Sequence, residues 1–333
     1  MKAVLYEAPH KLSFGEVPDP PFEEDSILIR ISYSYVCATD IKTYKQGHPH
    51  IKPLSILGHE FSGVVEKIGP RVSLVKTGDT VTAAPFVNCG VCEMCVRGRT
   101  EACTDRQFPS NGALAERISM SEGYARKGLA VIPPGMAREC GLSEPVACVL
   151  NSARAIGPRP GDSVLVVGAG FMGILNALVL KCLFGAVSRI TDVNTERLAL
   201  ARTLGIRTLT TDELEKKTFD TVVLTPPVVE LVPQYEACVA PFGTLVLFGG
   251  YKAGATAQID PNIVHYRGVK LVGTSGFSPF DFQTAVKVIT EGLLPMTTFT
   301  KELYPFAEFE TAFKDAAEGR ALKVGFTFYG QKD

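Results

Sequence analysis

The stretch Ser163-Val164-Leu165-Val166-Val167-Gly168-Ala169-Gly170-Phe171-Met172-Gly173 decides how this chain folds. Its first five residues are an apolar run of strand length, and the run from Met172 to Phe184 behind it is helical in character. Between them stands the pattern G-x-G-x-x-G. Gly168 permits a tight turn, Gly170 lets a pyrophosphate approach the backbone, and Gly173 lets helix pack on strand. Phe171 and Met172 open the helix, whose free N–H groups and positive dipole end suit phosphates. Outward from this turn, Val187 to Thr191 reads as strand, Thr195 to Leu204 as helix and Phe219 to Leu224 as strand. Val228 to Val239 then reads as helix and Gly243 to Phe248 as strand. That alternation predicts an α/β fold with a doubly wound parallel sheet, buried on both faces. Asp192 closes the second strand, where a carboxylate can accept both ribose hydroxyls and repel a 2′-phosphate. The bound nucleotide is therefore expected to be NAD, with Arg197 placed to cover the adenine or to soften the preference.

The chain before this region reads differently. Ser26 to Ser34 alternates as a half-buried strand does, and Phe61 to Ile68 and Asp79 to Ala84 are similar, with Gly and Pro between the runs. After Gly276 come two helices, 281–292 and 307–318, and a closing strand from Lys323 to Phe328. The expected organisation is a β-rich first part over 1–150, a nucleotide domain over 151–276, and a return to the first domain over 277–333. The 333 residues carry 34 Lys+Arg against 35 Asp+Glu, a net charge of −1. Such a balance argues against nucleic acid and against an anionic membrane surface as partners. Glu7 and Pro9 interrupt any signal-peptide core, and no apolar run approaches the ~18 residues of a membrane helix. A soluble cytoplasmic protein is expected.

Nine cysteines cannot all pair within one chain. Cys89, Cys92, Cys95 and Cys103 follow C-x2-C-x2-C-x7-C, with Gly90 and Gly98 easing the reversals. Short spacers let one loop wrap a tetrahedral ion, and four thiolates leave no open position, so the site predicts a structural Zn²⁺. An iron–sulfur cluster is the rival for four thiolates. Cys140, Cys148, Cys182 and Cys238 read as small core residues.

Three further motifs stand in order: Cys37-Ala38-Thr39-Asp40, Gly58-His59-Glu60-Phe61-Ser62-Gly63, and Ser143-Glu144-Pro145. With the cysteine loop and the glycine turn, they resemble the zinc-containing medium-chain dehydrogenases/reductases of the alcohol dehydrogenase superfamily. The likeness spans essentially the whole chain. It is nearest to the sorbitol (polyol) and threonine dehydrogenase branch. The resemblance implies a GroES-like β-rich catalytic domain, a Rossmann cofactor domain inserted at 151–276, and a cleft between them. It implies a second, catalytic Zn²⁺ held by Cys37, His59 and either Glu60 or Glu144, with Cys148 a rival ligand. Thr274 and Ser275, after the last strand of the sheet, join the cofactor residues. An alcohol would give its proton through Thr39 and its hydride to NAD. Lys42 stands where relatives carry a histidine that completes the relay, and water would then substitute. Sorbitol dehydrogenases carry an arginine in the region of Gly273-Thr274-Ser275-Gly276, and its absence makes sorbitol itself a poor candidate. The implied activity is oxidation of a secondary alcohol: a polyol, sugar, cyclitol or amino alcohol. A polyol phosphate is the alternative, since Lys42, Lys45, His48, His50 and Lys52 crowd one segment and could clamp an acidic substrate. A family member without enzymatic activity is the more distant one. Relatives of this kind are dimers or tetramers, so a homodimer or homotetramer is expected.

Overall fold

The computed structural model describes residues 1–49, 51–214 and 218–328, so His50 of the basic segment lies outside the described residues. The chain forms two compact units. The first comprises Met1–Ala147, Ser278–Gly292 and the chain from Met296 onward; the second comprises Cys148–Phe277 with Leu293–Pro295.

The first unit is built around the strand Ser26–Tyr35. Ile27, Ile29 and Ile31 point into a core with Phe61, Val65 and Val81. Two neighbours of this strand converge at its far end. Glu60–Ile68 runs antiparallel to it with Tyr35 opposite Glu60, and Val324–Thr327 runs antiparallel with Tyr35 opposite Gly325. The end of one strand is thereby flanked by the start of two others. A hydrogen bond from the Val36 N–H to the Val324 carbonyl, at 3.0 Å, extends the pairing by one residue. The chain then turns into the helix Ala38–Gln46. The alternation in Ser26–Ser34 predicts polar residues facing solvent, yet Ser32 and Ser34 are buried. The short helix Ala137–Cys140 packs on this strand and on its neighbour Glu60–Ile68, adding cover that alternation alone does not foresee.

The second unit is a six-stranded parallel sheet. Its strands lie in the order Arg207–Thr208, Val187–Thr191, Ser163–Val167, Phe219–Leu224, Val239–Leu247, Lys270–Gly273. Numbered along the unit this is 3-2-1-4-5-6, the doubly wound order whose reversal point lies beside the first strand. Leu165, Val167, Val222, Leu224 and Leu245 fill one face of the sheet. The helix expected over 228–239 is confined to Leu231–Glu236. Pro233 is tolerated only in a first turn, so it keeps the helix start close by, and Val239 is taken into the sheet opposite Phe219.

Candidate active site

The cysteine loop forms a closed donor set. The thiols of Cys89, Cys92, Cys95 and Cys103 all lie within 4.8 Å of one another. The sulfur–sulfur separations are 4.0 Å for Cys89–Cys95, 3.9 Å for Cys92–Cys103 and 3.6 Å for Cys103–Cys89. Four sulfurs at about 2.3 Å from one Zn²⁺ stand about 3.8 Å apart, so the loop fits the ion. Backbone N–H groups assist: Cys92 N–H donates to the Cys89 sulfur at 3.3 Å and Cys89 N–H to the Cys103 sulfur at 3.4 Å. Backbone donors hold the Cys92 thiol down to about 6, whereas loss of solvent pushes Cys95 up to about 12.

A second, open donor set lies at the end of the central strand of the same unit. The Cys37 sulfur, a His59 ring nitrogen and a Glu60 carboxylate oxygen fall within 4.8 Å of one another. Each arrives by a different route. Cys37 caps the helix Ala38–Gln46, His59 ends the preceding loop, and Glu60 begins its strand opposite Tyr35. One thiolate, one imidazole and one carboxylate suit Zn²⁺ and leave a position free, as catalytic zinc sites require.

Two buried residues organise this set. Asp40 accepts the Cys37 N–H at 2.9 Å and the Gly58 N–H at 3.1 Å, and its carboxylate lies 3.7 Å from His59 Nδ1. It thus ties the two ligand-bearing segments together and orients the imidazole. Lys323 brings its Nζ to 2.8 and 2.5 Å from the two oxygens of Glu60, with both side chains almost wholly buried. Burial opposes a charge on His59, but Cys37, Asp40 and Glu144 outweigh it and hold its pKa well above the usual value. For Lys323 too, burial opposes the charge, and Glu60, Cys37 and Glu144 override it and raise the pKa.

The glycine turn of the second unit has the shape a nucleotide needs. Gly168 sits at φ 93°, open to glycine and strained for other residues. A Cβ on Gly173 would come 1.7 Å from the Gly168 carbonyl oxygen, so helix and strand meet only through glycine. Asp192 braces the turn: one carboxylate oxygen accepts the Ala169 N–H at 2.5 Å and the other the Asn194 N–H at 2.8 Å.

Residues 23–133 match the alcohol dehydrogenase GroES-like domain. The chain is 26% identical to the D-arabitol-phosphate dehydrogenase of Enterococcus avium, over 97% of this chain and 96% of that one. It is 28% identical to the D-altritol 5-dehydrogenase of Agrobacterium fabrum, over 98% and 99%. A zinc-binding dehydrogenase of Sinorhizobium meliloti, solved bound to NADP, superposes with a TM-score of 0.89 at 23% identity, over 98% and 99% of the two chains. Over nearly its whole length the chain is similar to polyol and sugar-alcohol dehydrogenases, and its residues 23–133 match the domain that begins alcohol dehydrogenases.

The two glutamates that the sequence leaves open stand differently toward the open donor set. Glu60 falls in the donor set with Cys37 and His59; Glu144 acts on His59 and Lys323 through its charge but lies outside that set. Cys148 is half-buried and also lies outside it. Thr39 follows Cys37 by two residues on the capped helix, with its carbonyl accepting the Thr43 hydroxyl at 2.8 Å. Gly170 caps the helix that Phe171 and Met172 open. Arg197 lies half-buried in the helix Thr195–Thr203, which Asn194 caps. Thr274 and Ser275 come directly after the edge strand Lys270–Gly273. Sequence reasoning missed Asp40 and Lys323 as parts of the site. Asp40 carried a signal, an acid in the first turn of a helix capped by a ligand. Lys323 carried none, because only the strand pairing brings it to Glu60.

Proposed function

We propose that the chain is an NAD-dependent dehydrogenase of secondary alcohols, with polyols, sugars, cyclitols and amino alcohols as the substrate range. The observation that carries this reading is the contrast between a closed four-thiol set and an open set of Cys37, His59 and Glu60 in one unit. Three donors leave a four-coordinate ion one position for a substrate oxygen, and four thiols leave none. Zinc bound there supplies a Lewis acid that lowers the pKa of an alcohol, and NAD accepts the hydride. The chain's own residues do the rest. Cys37, His59 and Glu60 hold the ion, Asp40 fixes the first two, and Lys323 carries the charge that balances Glu60. Thr39 takes the hydroxyl proton; Lys42, one helical turn further on, is exposed, and water would carry the proton onward. Glu144, whose charge acts on His59 and Lys323, would be the loosely held partner of a bound ion.

The glycine turn and Asp192 support NAD over NADP. Asp192→Ser should improve use of NADP, and no improvement would count against this account. The four-thiol loop supports a second, structural Zn²⁺. The edge strand Lys270–Gly273, with Lys270 and Leu271 exposed, supports pairing with a second copy, as a homodimer or within a homotetramer. Among the described residues no helix is long and apolar enough to cross a membrane. With the even charge balance, this supports a cytoplasmic enzyme of small molecules.

A second reading, a polyol-phosphate dehydrogenase, rests on the basic segment and on the arabitol-phosphate relative. Among the described residues of that segment Lys42, Lys45 and Lys52 are all exposed, and Lys45 donates to the Ala317 carbonyl at 3.0 Å. The deciding experiment is an NAD-reduction screen over polyols, cyclitols, amino alcohols and polyol phosphates. Turnover of none of these classes with zinc-loaded protein overturns the proposal; a preference for phosphate esters selects the second reading.

A further inference from the structure

We infer that the second unit carries a phosphate-binding site of its own, at the end of the sheet remote from the glycine turn. Arg189 and Arg207 stand directly opposite one another on the neighbouring parallel strands Val187–Thr191 and Arg207–Thr208. Their backbones are therefore about 4.8 Å apart, and in-register side chains on adjacent strands share a face. Two like charges in that position repel each other and weaken the pairing. Other arginines of this chain do meet carboxylates, as Arg117 meets Glu66 and Arg126 meets Glu122. Here, among the described residues, no carboxylate lies within ion-pair distance of either guanidinium. Two acids at this end of the sheet are engaged with backbone: Asp220 accepts the Ser163 N–H at 2.7 Å and Asp162 the Arg159 N–H at 2.8 Å.

The two arginines line a cavity of about 180 Å³ with Ser163, Thr218 and Phe219. Arg189 is already positioned, donating to the Ser163 hydroxyl at 2.8 Å and lying 6.0 Å over the Phe219 ring. The Arg207 guanidinium has no hydrogen-bond or ion-pair partner among the described residues. Two guanidinium forks and two hydroxyls converging on a cavity of that size match the acceptors of a tetrahedral phosphoryl dianion. Such a ligand would supply the negative charge that the described residues do not bring to either guanidinium. The place is distinct from the nucleotide site. Ser163 begins the strand that leads into Gly168, and Arg189 precedes Asp192 by three residues, about 10 Å along the strand. A phosphate held here sits at the foot of the strand that carries the ribose-binding carboxylate, with both sites occupied together.

The source of the phosphoryl group separates in the test. Inorganic phosphate and glycerol 3-phosphate are each titrated by calorimetry into the full-length protein saturated with NAD, which fills the glycine turn. Wild type, Arg207→Gln and Arg189→Gln/Arg207→Gln are compared. Saturable binding is expected in the wild type, weakened about tenfold in Arg207→Gln, the loss of one charge-assisted contact, and abolished in the double variant. Tighter binding of the ester assigns the site to a phosphorylated metabolite, and equal or weaker binding assigns it to the free ion. In phosphate-free buffer Arg207→Gln should melt no lower than wild type, because the substitution relieves the repulsion. Should the double variant not fold, the single variant decides, since Arg207 is exposed. Equal phosphate affinity in wild type and Arg207→Gln, or no saturable binding in the wild type, overturns the inference.

Discussion

Cys89, Cys92, Cys95 and Cys103 come from one short loop, and the loop alone brings their sulfurs within 4.0 Å of a neighbour. Cys37, His59 and Glu60 meet only because a helix cap, a loop end and a strand start converge beside Tyr35. The loop is stabilised by its own backbone N–H groups. The open set depends on Asp40, which bridges two segments, and on Lys323, which arrives from the far end of the chain. A closed site can thus be local, because its function is to hold an ion still. An open site needs its charges balanced from outside the ligand set, or the unfilled position would be taken by the protein's own groups.

The largest effect should come from removing one ligand of the open set. His59→Ala is expected to cut turnover by roughly 10³-fold, several kcal/mol of transition-state stabilisation. Its metal content should fall from two zincs per chain to one, the loop retaining its own. A variant that keeps both zincs and full activity would break the division between the two sites. Next comes Lys323→Met in the metal-free protein, which leaves the Glu60 carboxylate buried and uncompensated. Breaking a buried pair from one side costs about 3–5 kcal/mol, so the variant should melt well below wild type. Adding Glu60→Gln should restore much of that stability without restoring activity. If the single variant is as stable as wild type, the Lys323–Glu60 pair is not what balances the site.

Much of this was legible in the residues. The stretch 163–173 specified strand, turn and helix because each glycine there answers a steric demand, and the turn stands as expected at Gly168 and Gly173. The cysteine spacing was equally direct, since a metal loop is a local object. The open set could be named only through resemblance, and its choice between Glu60 and Glu144 could not be made from spacing. That choice depends on which carboxylate the register of two strands delivers next to Cys37. Lys323 illustrates the limit: a lysine ahead of an apolar strand looks like an exposed flank until the antiparallel pairing with Ser26–Tyr35 places it inside.

Asp40→Asn sharpens the comparison at smaller amplitude. The amide still accepts a hydrogen bond but no longer supplies a charge to His59. Outer partners of metal ligands are worth roughly 10–100-fold in metal affinity. Zinc at the open set should weaken by that factor, and zinc at the cysteine loop should not change. Competition with a chromogenic chelator, read as two separate phases, measures both in one experiment. Equal weakening of the two phases would mean that Asp40 acts on the fold and not on the site.

The smallest effect distinguishes the two sites by their protons. In the metal-free chain Cys37, Asp40 and Glu144 hold the His59 pKa well above the usual value of about 6.5. The protonated imidazole is thus favoured by folding. Its contribution to metal-free stability is complete below about pH 6.5 and is lost as pH rises through the elevated folded pKa. Zinc takes only the neutral ring, so it must displace that proton, and affinity at the open set should climb with pH until the folded pKa is passed. At the loop the Cys92 thiol, held to about 6, is largely ionised at neutral pH already, while Cys95, pushed up to about 12, must release a proton. Calorimetry in buffers of different ionisation enthalpy counts the protons released. In wild type, the proton released at the open set should be lost selectively in Asp40→Asn at pH 7, because weakening the charge beside His59 lowers its pKa. An unchanged proton count in that variant would place the elevated His59 pKa on Cys37 and Glu144.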